Sequence, residues 1–151
     1  MEYTFYAIIC KDENITDCYV GSTHNFYRRK SNHKTSCNNP SVKEYNYKVY
    51  QFIRENGGFD NFELIELEKQ IFKTKEQASI RERYWVETLN STLNSNIPSR
   101  TKKEYHEKNK EQILQKRDKQ FTCECGGKYT HQHKTTHFKT KKHQDYINTL
   151  N

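Results

Sequence analysis

The stretch DCYVGSTHNFYRRKSNHK, residues 17–34, begins with the alternation of a half-buried strand and ends with the basic residues of a helix. A glycine, two hydroxyl residues and an asparagine lie between these two parts. Arg29 and His33 are four residues apart, so on a helix they share one face. One interpretation is a strand, a turn and a solvated helix. The other is a site that holds a phosphate.

The sequence around this stretch predicts a mixture of strands and helices. Residues 3–10 are rich in aromatic and β-branched side chains and predict a strand, which forms a hairpin with a short strand at residues 18–21. A third strand is predicted at residues 62–67. Helices are predicted at three places: residues 25–33, a segment that starts at Ser41 with Glu44 as its capping box and ends at the Gly57-Gly58 pair, and residues 74–89.

The last of these helices carries a carboxylate on its apolar side. Ala78, Glu82, Trp85 and Leu89 fall on one side of the helix. A charge that faces a core is costly unless it is paired or bound to a metal ion. The alternatives are that Glu82 pairs with a neighbouring arginine at the edge of the stripe, or that it belongs to a functional site.

The positive charge of the chain lies in its last third. Residues 1–98 contain 13 basic and 13 acidic residues, whereas residues 99–151 contain 13 basic and 6 acidic ones, which accounts for the net charge of +7. Such asymmetry indicates a polyanionic partner, most often nucleic acid, although a basic tail can also serve solubility alone. Residues 99–120 have almost no apolar side chains and predict a charged linker, either a solvated helix or a flexible tether, so we place a domain boundary near Ser99.

The composition argues against a membrane or secreted protein. No apolar run approaches the roughly 20 residues that span a bilayer, and the N-terminus lacks the features of a secretion signal. Three of the five cysteines are scattered, which is untypical of a disulfide framework. We therefore expect an intracellular, reducing compartment and no membrane partner.

Cysteines and histidines near the C-terminus have the spacing of a zinc ligand set. Cys123 and Cys125 precede a glycine pair, and His137 and His143 follow. Two thiolates on a tight turn and two imidazoles on a short helix can surround Zn²⁺ tetrahedrally. The pattern is close to a ββα finger, with CxC instead of the usual wider gap. His131 and His133 are spare candidates, and the alternative is a disordered basic tail.

Five motifs follow one another in residues 1–98: TFY at residues 4–6, YVG at residues 19–21, Phe26 with Arg29 and His33, RERYW at residues 81–85, and an asparagine at Asn94 or Asn96. In this order they resemble the GIY-YIG nuclease domain, which occurs in phage and intron homing endonucleases and in proteins of large DNA viruses. Thr4 stands where the family has its first glycine. Residues 121–147 resemble short C2H2-type fingers, some of which bind DNA and others double-stranded RNA.

The GIY-YIG resemblance implies an α+β fold, a small three-stranded antiparallel sheet flanked by helices. It also implies hydrolysis of a DNA phosphodiester with one divalent cation, usually Mg²⁺. The implied catalytic roles are cation binding by Glu82, phosphate binding by Arg29, deprotonation of the attacking water by Tyr6, and proton relay or orientation by Tyr19 and His33. The implied substrate contacts are close backbone approach at Gly21, DNA backbone binding by Arg28 and Lys30, and binding by Asn94.

These observations lead to two main hypotheses about function. The favoured one is a monomeric, modular DNA endonuclease, in which residues 1–98 cut, residues 99–120 act as a spacer, and a zinc finger at residues 121–147 anchors the protein on DNA or RNA. The alternative is a catalytically inactive nucleic-acid-binding protein on a nuclease fold, for which Thr4 is the main argument. A structural zinc protein is a third possibility.

Overall fold

The structure is a computed structural model that describes residues 1–150. The chain divides into two compact units between Ser99 and Arg100. The first unit contains three strands and three α-helices: β1 Glu2–Cys10, β2 Tyr19–Thr23, α1 Phe26–Asn38, α2 Lys48–Glu55, β3 Phe62–Ile71 and α3 Lys75–Thr88. Two 3₁₀ turns, Lys43–Asn46 and Phe59–Asn61, precede α2 and β3.

The three strands form one antiparallel sheet in the order β2-β1-β3. The register of β1 and β2 places Tyr6 opposite Gly21 and Ile8 opposite Tyr19. The predicted α+β fold with a three-stranded antiparallel sheet is therefore confirmed. Since β1 is central, β2 is left with one free edge.

Both faces of β1 are covered by helices. Tyr6 and Ile8 belong to the core on the side of α1 and α2, where Ile53 is fully buried. Phe5 and Ala7 point to the opposite face, where α3 covers the sheet with Ala78 and Val86 among other residues. Alternate side chains of β1 therefore point into two different apolar layers. Every site residue on β1 or β2 lies in one of these two layers.

Two of the predicted helices differ from the observed ones. The helix after the hairpin continues to Asn38. The predicted helix from Ser41 is interrupted, because Tyr47 adopts an extended backbone (φ −69°, ψ 144°) between the 3₁₀ turn and α2. The Ser41–Glu44 capping box is therefore wrong: the 3₁₀ turn has no side-chain cap, and the amide of Ser41 donates to Asn39 Oδ1.

The second unit has two charged helices followed by a small ββα arrangement. Its elements are α4 Lys102–Lys108, α5 Lys110–Asp118, β4 Gln120–Thr122, β5 Lys128–Thr130, α6 Lys134–Phe138 and α7 Lys141–Asn148. Strands β4 and β5 form an antiparallel pair. Among residues 100–150 only His137 is buried. An apolar core of the kind seen in the first unit is therefore lacking in this described part of the second.

Neither unit contains a helix that is long and apolar enough to cross a membrane, as far as residues 1–150 are concerned. All five cysteines are free.

Candidate active site and metal centre

The hydroxyl of Tyr6 lies at the centre of a polar cluster in the first unit. Arg29 Nε donates to it across 2.8 Å, and His33 Nε2 lies 2.8 Å away. Tyr6 comes from β1, while Arg29 and His33 are one turn apart on α1, which places both on the face that covers the sheet. Tyr6 has 0% of its surface exposed, so water does not reach its hydroxyl directly.

Gly21 makes room for the ring of Tyr6. A Cβ atom at this position would lie 2.6 Å from Tyr6 Oη, 2.8 Å from Tyr6 Cζ and 3.1 Å from Tyr19 Cε1. The glycine is therefore required by the packing of two tyrosines. Its predicted close approach to a phosphate gains no support from this geometry, because Gly21 is buried.

Unlike the buried Tyr6, the side chain of Tyr19 borders open cavities. It lines a cavity of about 750 Å³ together with Glu82 and Asn94, and a second cavity of about 470 Å³ together with Arg29. Tyr19 lies on the Tyr6 face of β2, whereas Glu82 belongs to α3 on the opposite face. The larger cavity therefore spans the free edge of the sheet and brings together groups from both layers.

Glu82 is half-buried and is held by a residue of β2. Ser22 Oγ donates to Glu82 Oε2 across 2.5 Å. Burial raises the pKa of Glu82, while the hydrogen bond from Ser22 and the charge of Arg29 act in the lowering direction. The neighbouring arginines have carboxylate partners elsewhere: Arg81 pairs with Glu68, and Arg83 pairs with Glu87.

Burial also changes the pKa values of the aromatic groups. Burial raises the pKa of Tyr6. The nearby Tyr19 raises this pKa further, and the charge of Arg29 acts to lower it. Burial likewise raises the pKa of Tyr19, with Arg29 acting to lower it and Glu82 to raise it. The pKa of His33 falls to about 3 because of burial and the nearby charge of Arg29. At neutral pH, His33 is therefore uncharged and both tyrosines are protonated.

Asn94 lines the larger cavity, but its side chain is engaged by the backbone. Its Nδ2 donates to Val20 O across 2.8 Å, and its Oδ1 accepts from Val20 N across 2.8 Å. Ser91 Oγ also donates to Asn94 Oδ1. The amide thus replaces a neighbouring strand at the free edge of β2. This geometry gives Asn94 a structural role beside Tyr19, and its predicted binding to substrate stays a prediction.

Arg28 and Lys30 lie on the exposed surface of α1 and line neither of the two cavities. Lys30 instead borders a shallow depression with Tyr27 and Lys34. The structure therefore separates these two basic residues from Arg29 and His33, which contact Tyr6, although all four come from α1.

Thr4, at the position of the family's first glycine, is buried in β1 opposite Thr23 of β2 and Lys69 of β3. It does not line the cavity that contains Glu82. Thr4 is accommodated within the sheet, at a distance of two residues from Tyr6 along the strand.

Sequence reasoning missed two hydroxyl groups in the site. Ser22 directly follows the YVG motif, and Tyr50 lies in the helix predicted from Ser41, but the motifs assigned a role to neither residue. Tyr50 Oη lies 2.8 Å from His33 Nδ1. No spacing along the chain indicates either contact, because Ser22 and Glu82 are 60 residues apart, and the position of α2 depends on the break at Tyr47.

The second unit brings four potential metal ligands together. The ligand atoms of Cys123, Cys125, His137 and His143 all lie within 4.8 Å of one another. Cys123 Sγ is 3.4 Å from His143 Nδ1, and Cys125 Sγ is 3.5 Å from His137 Nε2. Tetrahedral bonds of about 2.3 Å to sulfur and about 2.1 Å to nitrogen separate such atoms by about 3.6 Å. The cluster is therefore compatible with zinc.

A tight turn positions the two cysteines of this cluster. The amide of Gly126 donates to Cys123 O, and the amide of Cys123 donates to Gly127 O. Gly126 has a positive φ of 72°, which glycine adopts without strain. A Cβ atom at Gly127 would lie 2.5 Å from His137 Cε1. His133 contacts Thr130 instead and, like His131, lies outside the cluster.

Comparisons with known proteins address the first unit. A family model described as the GIY-YIG catalytic domain matches residues 2–96, which confirms the resemblance seen in the motifs. A solved structure described as "Structure of the Catalytic Domain of Homing Endonuclease I-TevI" is 26% identical to the chain, covers 61% of this chain and 92% of that chain, and has a TM-score of 0.49. Among curated proteins, no sequence matches the chain.

Proposed function

The chain belongs to the GIY-YIG family of catalytic domains and is an endonuclease, and from this premise we propose that it hydrolyses DNA phosphodiester bonds with one divalent cation held by Glu82. The observation that carries the proposal is the cavity shared by Tyr19 and Glu82, with Arg29 close to Tyr19. DNA is the substrate class that the family resemblance implies. Mg²⁺ is the cation we expect.

The donor set at Glu82 fits a hard cation. Ser22 occupies one carboxylate oxygen, which leaves the other for a metal ion. Among the described residues, Glu82 does not belong to any group of three or more carboxylates, cysteines or histidines that could hold a metal ion. Mg²⁺ suits this arrangement because it keeps several waters and binds through one or two carboxylates together with substrate phosphate oxygens. When bound, such a cation supplies positive charge that stabilises the phosphate and the departing oxygen.

We assign deprotonation of the attacking water to Tyr19, in place of the Tyr6 assignment made from the motifs. Tyr6 is fully buried, whereas Tyr19 lines the cavity that contains Glu82. A general base must come within hydrogen-bond reach of the water that it deprotonates. Arg29 stabilises the phenolate form of Tyr19. The buried side chain of Tyr6 helps to position both Arg29 and Tyr19.

Arg29 has a second role in this proposal. Its Nε is engaged by Tyr6, and the guanidinium carries further N–H groups for a phosphate oxygen. The exposed Arg28 and Lys30 bind the DNA backbone outside the cavity. Substitution of either is therefore expected to weaken binding without slowing the chemical step.

The second unit holds Zn²⁺ in this proposal. One S–H···N hydrogen bond per Cys–His pair would explain why the two members of each pair are close. A shared cation explains, in addition, why all four groups converge. The charge supports a nucleic-acid contact, since residues 99–151 carry the entire excess of +7 while residues 1–98 are neutral. A basic anchor of this kind raises the effective concentration of DNA at the catalytic cavity.

A plasmid-nicking assay with the full chain and Mg²⁺ tests the catalytic proposal. Wild type is expected to nick, and Glu82→Ala is expected to lose at least about a thousandfold in rate, since the cation supplies several kcal/mol of transition-state stabilisation. Equal nicking by both proteins would remove Glu82 from the mechanism. Absence of nicking by both would favour the inactive binding protein, for which Thr4 remains the sequence argument.

A second assay tests the anchor. The full-length variant Cys123→Ser is expected to bind DNA more weakly than wild type and to raise the DNA concentration needed for half-maximal nicking. Its rate at saturating DNA should match wild type, because the cavity in the first unit is unaltered. A variant that binds DNA as tightly as wild type would contradict the division of labour between the two units.

A further inference from the structure

Lys48 is the one basic residue among the described residues that line the larger cavity, and Glu82 is the one acidic residue. Lys48 is the first residue of α2, which packs on the Tyr6 side of the sheet, whereas Glu82 belongs to α3 on the opposite side. The cavity of about 750 Å³ therefore carries one positive and one negative side chain, and these come from different layers of the fold.

The ammonium group of Lys48 is held in place by a neutral acceptor. Its Nζ donates to Thr92 O across 2.8 Å. Lys34 of the same unit is instead paired with the carboxylate of Asp60, but Lys48 has no carboxylate partner within residues 1–150. A peptide carbonyl leaves the positive charge uncompensated, and an ammonium group has two further donors. Lys48 therefore retains both the charge and the donors that an anion requires.

The carbonyl that holds Lys48 belongs to a segment that is attached to β2. Leu93, which follows Thr92, is buried, and its amide donates to Cys18 O across 3.1 Å. Asn94 is bonded to both backbone groups of one residue of β2. Because its acceptor is fixed in this way, the side chain of Lys48 loses less conformational entropy when it binds an anion than a free lysine would.

The two cavities of the first unit are neighbours, because Tyr19, Tyr47 and Val49 line both of them. Arg29 lines the smaller cavity, and Lys48 lines the larger one. Each cavity therefore has one cationic side chain, and Tyr19 lies on the wall that they share. A nucleic acid strand carries a negative charge at every nucleotide, so a strand that crosses both cavities can place a different phosphate at each cation.

We propose that Lys48 is a substrate-binding residue that contacts the DNA phosphate next to the scissile one. The inference rests on the proposed function, in which the scissile phosphate contacts Arg29 and the cation at Glu82. A phosphate that does not react is bound equally in the ground state and in the transition state. Lys48 therefore contributes to DNA binding and to the register of the strand in the cavity, and it leaves the chemical step unchanged.

The test compares Lys48→Met with Lys43→Met in the full-length protein, by fluorescence anisotropy with a labelled DNA duplex and Ca²⁺ in place of Mg²⁺. Both changes remove one positive charge. Lys43 lies in the 3₁₀ turn before α2, is exposed and lines neither cavity. Lys48→Met should reduce the slope of log K against log salt concentration by about 0.9, which is about eightfold in affinity at about 0.1 M salt. Equal slopes for the two variants would overturn the proposal.

Two further measurements separate phosphate binding from a merely structural link between α2 and the segment at Thr92. With Mg²⁺, Lys48→Met should raise the KM for nicking about eightfold with kcat unchanged, and Lys48→Arg, which keeps the charge, should restore the KM. The unfolding midpoint from Trp85 fluorescence should be equal in all variants. A loss of kcat, or a lower midpoint with an unchanged salt slope, would contradict the proposal.

Failure of this inference is distinguishable from failure of the proposed function. Nicking by wild type that is lost in Glu82→Ala would leave the proposed function standing even if Lys48→Met behaves as wild type. If wild type does not nick, the salt dependence of DNA binding still decides whether Lys48 contacts a phosphate.

Discussion

The two units of this protein use the same side-chain types for opposite purposes. In the first unit, His33 is buried among phenols and an arginine, and the fold around it is built on a sheet whose central strand is covered on both faces. In the second unit, His137 is the only buried residue among residues 100–150, and its neighbours are two cysteines and a second histidine. One histidine is held by an apolar core, and the other is held by the groups that surround a potential metal ion.

This difference leads us to expect that the second unit, and not the first, needs a metal ion for its structure. A sheet covered by two apolar layers is stabilised by burial of apolar surface. A module of about 30 residues without such a core needs another source of free energy, which in small Cys/His modules is metal binding. The single tryptophan, Trp85, belongs to α3. Its fluorescence therefore reports the unfolding of the first unit alone, while circular dichroism reports both units.

Metal removal is expected to have the largest effect and to affect only one unit. A strong chelator, or the variant His137→Ala, should abolish the ordered structure of residues 120–148, since ligand binding and folding are coupled in such modules. Circular dichroism should fall while the unfolding midpoint from Trp85 fluorescence stays within experimental error. His131→Ala, outside the cluster, is the control and should retain bound zinc. A first unit that unfolds together with the second would contradict this separation.

Added methyl groups at two glycines should disturb the two units in different ways. In Gly21→Ala, the new Cβ would lie 2.6 Å from Tyr6 Oη, and such overpacking costs about 2 kcal/mol of the free energy of unfolding. In Gly127→Ala, it would lie 2.5 Å from His137 Cε1, which should displace a proposed zinc ligand. Urea unfolding followed by Trp85 should change only for the first variant. Competition with a zinc indicator should change only for the second. A reversed pattern would disprove these assignments.

Acid should weaken the first unit through His33. The pKa of His33 is about 3 in the folded unit and about 6.5 in an unfolded chain. Between these values the unfolded chain binds a proton that the folded unit does not, so stability falls as pH decreases, by about 2 kcal/mol from pH 6.5 to pH 5. His33→Gln should flatten this dependence in Trp85-monitored unfolding. Parallel curves for wild type and His33→Gln would be inconsistent with a neutral buried imidazole.

The smallest expected effect concerns two equivalent helix caps. Thr74 at α3 and Thr101 at α4 both form capping boxes, with Gln77 and Glu104 respectively. Thr74→Ala should lower the free energy of unfolding of the first unit by about 1 kcal/mol, because α3 packs on the sheet. Thr101→Ala should reduce the helical circular dichroism signal slightly and leave the Trp85 transition unchanged, because α4 has no buried residues. Equal shifts of the Trp85 transition would argue that α4 supports the first unit.

Much of the secondary structure followed from local pattern. Thr74 was predicted as the start of a helix, and it is the N-cap of α3. The hairpin of β1 and β2 was predicted from two apolar stretches on either side of a polar loop. The prediction of one helix from Ser41 to the Gly57-Gly58 pair was wrong, because the backbone is extended at Tyr47. Periodicity does not record such a break, since it depends on how the two segments pack on the sheet.

The candidate site was predictable to a similar extent. The motif order brought Tyr6, Arg29 and His33 into one hypothesis, and both Arg29 and His33 do contact Tyr6. The partners Ser22 and Tyr50 could not be found, because each contact joins different elements. The two arginines next to Glu82 were considered as its partners, but its hydrogen-bond partner comes from β2.

By itself, the sequence determined the family, the elements of the sheet, the concentration of positive charge after residue 98 and the four residues of the Cys/His cluster. These follow from residue identity and spacing, which are properties of the chain. Only the tertiary structure decided that Tyr19 faces the cavity while Tyr6 is buried, that Asn94 covers the free edge of β2, and that Tyr50 reaches His33. These depend on which surfaces the two layers cover when they pack on β1, and burial of that kind is a property of the assembled fold.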